Sequence, residues 1–219
     1  MGGFKNELNN AIFENNLFDI IVLRISKCCK TMRKDCQEAG EYLYNDENKI
    51  SSRLVARYLN TNISGLRFIL ENPEHYNAKT NTFKGRTDIK VVSTDWFYMN
   101  CDAYYIIEAK RLDGEPLLNN KYVSNGIARF VTLPSPKYSS YYGRNIMLGY
   151  IVQVIDVREN TKKIDKLQRE MLTSVMISEM EHICDDGEDF NRYQCLYQAD
   201  SNLSVELTHI FYDFSEVVK

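Results

Sequence analysis

The chain has 219 residues, 44% hydrophobic and 26% charged, with ten glycines and four prolines, which is the composition of one globular domain of α/β or α+β type. A formal charge of −3 excludes a protein that coats nucleic acid through bulk positive charge. No apolar stretch reaches the roughly 18 residues that cross a bilayer, and Met-Gly-Gly-Phe-Lys-Asn-Glu at the start has no signal-peptide pattern, so a cytoplasmic protein away from membranes is expected.

Phe18, Ile21, Val22, Ile25, Cys28, Cys29, Met32, Cys36, Ala39 and Leu43 recur at three and four, which predicts a long amphipathic helix over 17–44. Asn45-Asp46 ends it, and one of the two caps a second helix over 47–60 with Ile50, Leu54 and Tyr58 on one face. Residues 67–70 read as a short strand and 71–84, with Asn-Pro-Glu-His and Thr-Asn-Thr, as loop. Strands are predicted over 87–93, 96–99 and 103–111, then a turn over 112–116 and a helix over 119–131 that Gly126 weakens. Residues 133–144 form a linker without period, and 146–154 a buried strand. Ile164, Leu167, Met171, Val175, Met180 and Ile183 predict a helix over 162–184, and 192–198 with 205–214 a hairpin.

Some chemistries are disfavoured. The six cysteines have no Cys-x-x-Cys spacing and read as reduced core thiols. A zinc site from Cys28, Cys29 and Cys36 is disfavoured because neighbours on a helix point about 100° apart. His75, His182 and His209 stand alone, there is no phosphate-binding glycine loop, and the acidic run 185–189 lacks the distal glutamate of a calcium loop.

What remains is Gly-Arg-Thr-Asp-Ile at 85–89 and, twenty positions on, Glu108-Ala109-Lys110 at the end of an apolar run. Strand side chains alternate, so Glu108 and Lys110 share a face while Ala109 points the other way. With Asp88 on a neighbouring strand, two carboxylates and an ammonium would surround one point, a setting for Mg²⁺ and a water against a phosphodiester. Residues 75–150 carry ten Lys/Arg against six Asp/Glu, as a phosphate-backbone substrate requires; chance asymmetry of a solvated surface accounts for the charge equally well. The competing reading of Asp88, Glu108 and Lys110 is a cross-strand salt-bridge cluster.

The order helix, three strands, helix, strand, with Asp88 and Glu108-Ala109-Lys110 on its second and third strands, resembles the PD-(D/E)xK nuclease superfamily, with Thr87 where the family's name has proline. The resemblance covers about 45–155 and implies a restriction-endonuclease-like αβββαβ core in a mixed α/β sheet. The long N-terminal helix and a C-terminal extension, 156–219, would be added to it within one domain. It implies Mg²⁺, with Mn²⁺ as substitute, held by Asp88, Glu108 and the Ala109 carbonyl, and catalysis by Asp88, Glu108 and Lys110. Glu47 is either a fourth metal ligand or a first-turn acid facing the helix dipole, with Asp46 and Glu41 next in line. Lys121, Tyr122 and Arg129 follow on the next helix and, with Arg86 and Arg111, make the candidate substrate-binding set; core packing is the competing role for Tyr122. The implied activity is DNA endonuclease in a bacterial defence or restriction system, as a homodimer or with a larger ATPase or sensor protein. The competing function is a non-catalytic assembly subunit of the same fold.

Overall fold

The computed structural model describes residues 7–63, 65–94, 104–132, 136–138, 142–185, 190–199 and 204–219. The architecture is mixed α/β, an eight-stranded sheet covered by helices on both faces. The elements are α1 (Glu7–Ala39), α2 (Glu47–Leu54), β1 (Leu66–Asn77), β2 (Thr82–Ser93), β3 (Tyr105–Leu112), α3 (Pro116–Tyr122), α4 (Ala128–Val131), β4 (Arg144–Ile151), α5 (Val157–Met171), β5 (Met176–Ile177), β6 (Glu181–Asp185), β7 (Phe190–Gln198) and β8 (Ser204–Asp213). A π-helical turn, Val55–Leu59, extends α2, and another, Val123–Ile127, joins α3 to α4.

The strand order is β1-β2-β3-β4-β8-β7-β5, with β6 also on β7. β1, β2 and β3 run antiparallel; β3, β4 and β8 are parallel. Parallel strands need crossovers, and α3–α4 supplies the first while α5 with the β7 hairpin supplies the second. These central strands are covered on both faces, so β4 is an apolar run from Ile146 to Ile151, and β3 is apolar over Tyr105, Ile106 and Ile107 before Glu108, Lys110 and Arg111 interrupt it. On one face Phe18, Ile21, Ile25 and Met32 of α1 and Ile50 and Leu54 of α2 pack on Ile107, Ala109, Leu148 and Ile210. On the other, Tyr122, Ile127 and Phe130 with Ile164 cover Ile106, Met147 and Phe211. Each of the buried Ile, Leu, Met and Phe side chains contributes roughly 1.5–3 kcal/mol.

The structure moves several predicted boundaries. α1 is helical from Glu7, the first described residue, and stops at Ala39, not at 44, because Gly40 takes φ +63, the left-handed closure that favours glycine. Leu43 has left the helix and bridges Val218. The predicted loop 71–84 is mostly the β1–β2 hairpin. Pro73 misled the sequence reading; β1 is an edge strand, and there a missing N–H is tolerated. Most of 173–184, expected to be helical, instead lies in or between β5 and β6, both on the edge of β7. Met180 follows Val175 by five positions, a step that breaks the helical period, and Ile183 is 40% exposed where a helix would have buried it. β8, in the segment expected as an extension, sits in the middle of the sheet beside β4. The predicted strand 96–99 and the acidic run 186–189 lie outside the described residues. Among the described residues no helix is long and apolar enough to cross a membrane.

Candidate functional site: a buried carboxylate and lysine cluster

The antiparallel ladder between β2 and β3 pairs Val91 with Tyr105, Lys90 with Ile106 and Ile89 with Ile107, then stops. The next step of this register sets Asp88 across from Glu108. In place of a backbone partner there, the Ala109 N–H donates to Asp88 Oδ2 at 2.8 Å. The strands part where the cluster begins, and a side chain takes over the orphaned donor. Ala109 packs in the α1/α2 core while Glu108 and Lys110, of opposite parity, turn to the α3/α4 face.

Lys110 Nζ is the centre of the cluster. It lies 2.9 Å from Glu47 Oε1, 3.2 Å from Asp88 Oδ2, 2.7 Å from Glu108 Oε1 and 2.5 Å from the Ala109 carbonyl oxygen. Asp46 caps α2 by accepting from the Lys49 N–H at 2.9 Å, and this brings Glu47 to the helix start, where its Oε2 also accepts from the Arg111 N–H at 3.3 Å. Gly126 lies beside the Lys110 stem; a Cβ there would make ordinary contact with Lys110 Cγ at 3.5 Å but stand 2.5 Å from Met147 Cε, so the glycine makes room for Met147 under the cluster.

Glu108 is fully buried. Arg129 Nη1 approaches its Oε1 at 2.9 Å, and the Tyr138 hydroxyl lies 2.5 Å from its Oε2. Both cations reach Oε1 at ion-pair distance, but neither meets it at hydrogen-bonding angles, so this buried oxygen has charge partners and no formed hydrogen bond. Burial, reinforced by Asp88, pushes the Glu108 carboxyl up to about 7, against the pull of Lys110 and Arg129. Burial opposes the Lys110 ammonium, yet Glu108, Asp88 and Glu47 outweigh it and raise its pKa, so the lysine is charged.

A cleft of about 290 Å³ opens onto the cluster, lined by Glu47, Lys110, Arg111, Lys121, Asn125 and Arg129 among others. A larger cleft, about 710 Å³, lies between α5 and the β6–β7 hairpin and shares no lining residue with it. There Lys162 pairs with Glu159, Lys166 with Glu170 and Arg169 with Asp165, an ordinary solvated helix face.

The structure thus brings Asp88, Glu108, Lys110, the Ala109 carbonyl, Glu47 and Arg129 to one point, with Lys121 and Arg111 at the mouth. The Arg111 guanidinium is tied to the Asn45 carbonyl and side-chain oxygens, both at 2.6 Å. Arg86 turns its side chain to Glu71 at 2.9 Å and is not in the cluster. Tyr122 is fully buried, and its hydroxyl meets His209 Nδ1 at 2.9 Å, so it stands in the core. Glu41 pairs with Arg53 at 2.6 Å instead. Sequence reasoning missed Tyr138 and Asn125. Tyr138 falls in the linker without period, where no pattern marks one tyrosine among several.

The donor chemistry suits a hard divalent ion: three carboxylates and a carbonyl, all oxygen, with Glu108 Oε1 lacking a hydrogen bond. The arrangement as it stands is organised around an ammonium; among the described residues no three His, Cys, Asp or Glu side chains already form a metal-holding group. An ion at the convergence point requires Lys110 Nζ to yield that place. No family model, no curated protein and no solved structure matches the chain.

Proposed function

We propose that the protein is a Mg²⁺-dependent endonuclease that hydrolyses phosphodiester bonds of DNA. The observation that carries this is the convergence of Glu47, Asp88, Glu108 and the Ala109 carbonyl within 3.2 Å of one cationic centre at the floor of a cleft. The β2, β3, α3–α4, β4 arrangement around it supports a restriction-endonuclease-like core. Glu47, Asp88, Glu108 and the Ala109 carbonyl would hold Mg²⁺, or Mn²⁺ in its place. The ion's chemistry there is to polarise a phosphoryl oxygen and lower the pKa of a bound water.

The chain's own groups do the rest. Arg129 and Lys121 at the mouth draw in and orient the phosphate backbone, with Arg111 at the rim. Lys110, released from its carboxylates, orients the attacking water and stabilises negative charge as it builds on the phosphoryl oxygens. A role as effector of a bacterial anti-phage or restriction system, acting in the cytoplasm as a homodimer or with a larger ATPase or sensor protein, is part of the same proposal.

A second reading has an observation of its own. Lys110 Nζ already has four oxygen partners, which is what a structural ion-pair knot in a non-catalytic assembly subunit would look like. Cleavage of supercoiled plasmid separates the two. The nuclease reading expects nicking or linearisation in Mg²⁺ or Mn²⁺, abolished by EDTA and lost in Asp88→Ala, Glu108→Ala and Lys110→Ala. An inert wild-type protein, tested alone and with the product of its neighbouring gene, favours the assembly subunit.

A further inference from the structure

We propose that Tyr138 is a positioning residue that fixes the Glu108 carboxylate for divalent-metal binding, an inference that rests on the metal-site reading above. Tyr138 is 2% exposed and reaches the cluster from outside the β2, β3 and α2 elements that supply the carboxylates. Its hydroxyl stands 2.5 Å from Glu108 Oε2 and 2.6 Å from the Arg86 carbonyl oxygen, and the Arg129 guanidinium donates to it. A phenol has one proton, and both Oε2 and the Arg86 carbonyl are acceptors. The carboxylate is the stronger acceptor and the nearer one, so the proton serves Glu108. The two oxygens of Glu108 are thereby differentiated: Oε2 is held by Tyr138, and Oε1 is left facing Lys110 and Arg129, where the other oxygen donors converge.

The phenol is itself held in place. The Lys137 and Tyr138 N–H groups both donate to the Arg129 carbonyl, at 2.9 and 3.1 Å. The ring packs edge-on against Phe130 with centroids 5.1 Å apart, and Gly85 on β2 leaves it space, since a Cβ there would lie 3.3 Å from Tyr138 Cε1. Hydrogen bonds to the ligands of a metal set their orientation, and losing one typically weakens metal binding about 10–100-fold.

The test is calorimetric titration of Mn²⁺ into the full chain without DNA, for the wild type and Tyr138→Phe, with circular dichroism to confirm folding. The expected result is a dissociation constant at least about tenfold higher in Tyr138→Phe. Wild-type binding with an unchanged constant in the variant overturns the role of Tyr138 and leaves the metal site standing. A wild type that binds no Mn²⁺ overturns both. If Tyr138→Phe does not fold, Gly85→Ala presses on the Lys137 carbonyl oxygen at 3.2 Å and on the Tyr138 ring at 3.3 Å, shifting the hydroxyl without removing it; a weaker constant there supports the positioning role, and an unchanged one overturns it.

Discussion

Two buried polar networks lie on the same face of the sheet, and they differ in charge. In one, the Tyr122 hydroxyl donates to His209 Nδ1 at 2.9 Å, His209 Nε2 lies 3.2 Å from the Tyr197 hydroxyl, and that hydroxyl donates to Gln168 Oε1 at 2.7 Å. These contacts place the imidazole proton on Nε2 and leave a neutral chain in which each group finds a partner. Burial lowers the His209 pKa to about 3 and keeps it neutral. The other network gathers three carboxylates, Lys110 and Arg129 around a cleft, and leaves Glu108 Oε1 without a formed hydrogen bond. A closed neutral network holds elements together. An open charged one keeps strong fields aimed at a point that solutes can reach, and such sites are where chemistry concentrates.

The sharpest way to break the comparison is to disable each network and assay both functions. Asp88→Asn and Glu108→Gln are expected to reduce Mg²⁺-dependent plasmid cleavage by about 10³-fold or more while the fold is retained. His209→Ala is expected to cleave like the wild type at temperatures where it stays folded. It should instead lose about 3 kcal/mol of unfolding free energy in urea titration, because the Tyr122 and Tyr197 hydroxyls lose a buried partner. Loss of cleavage in folded His209→Ala would erase the distinction.

The pH dependence sharpens the contrast, because the two networks should respond in opposite directions. Burial holds the folded His209 pKa at about 3, against 6.5 for a free imidazole, so the unfolded chain takes up the proton first. Its contribution is complete above about 6.5 and is lost progressively as pH falls towards 3. Glu108 has a folded pKa of about 7 against 4.5, so the unfolded chain releases the proton first. Its contribution is complete below about 4.5 and is lost as pH rises towards 7. The stability difference between wild type and Glu108→Gln should therefore shift against the wild type across that window, whereas the difference from His209→Ala should shift the other way. Parallel slopes in urea titrations at pH 4.5, 5.5 and 6.5 would contradict the assignment. The smallest effect is expected for Asp46→Ala, which removes the α2 cap and costs about 1 kcal/mol, with a modest loss of metal affinity as Glu47 loosens.

Much of this was legible in the sequence, for identifiable reasons. Alternation put Glu108 and Lys110 on one face and Ala109 on the other, and residue type narrowed the α2 cap to Asn45 or Asp46, of which Asp46 is the one that accepts from Lys49. The central strands announced themselves as apolar runs. The β1–β2 hairpin was hidden by Pro73, because edge position is a property of the sheet and not of the local chain. β5 and β6 were hidden because apolar spacing alone does not separate a helix from short strands on the edge of β7. The position of β8 beside β4 is a long-range pairing without local signature. Among site residues, Arg129 could be placed because it follows the Glu-Ala-Lys strand on a helix. Tyr138 could not, since its position depends on the Arg129 carbonyl and the gap at Gly85.

The most direct test of the central claim is a crystal structure of the protein grown with Mn²⁺ and measured for anomalous scattering. An anomalous peak is expected, bounded by Glu47, Asp88, Glu108 and the Ala109 carbonyl, with Lys110 Nζ displaced from their centre. Lys110 still at that centre, with no peak beside it at saturating Mn²⁺, would contradict that claim.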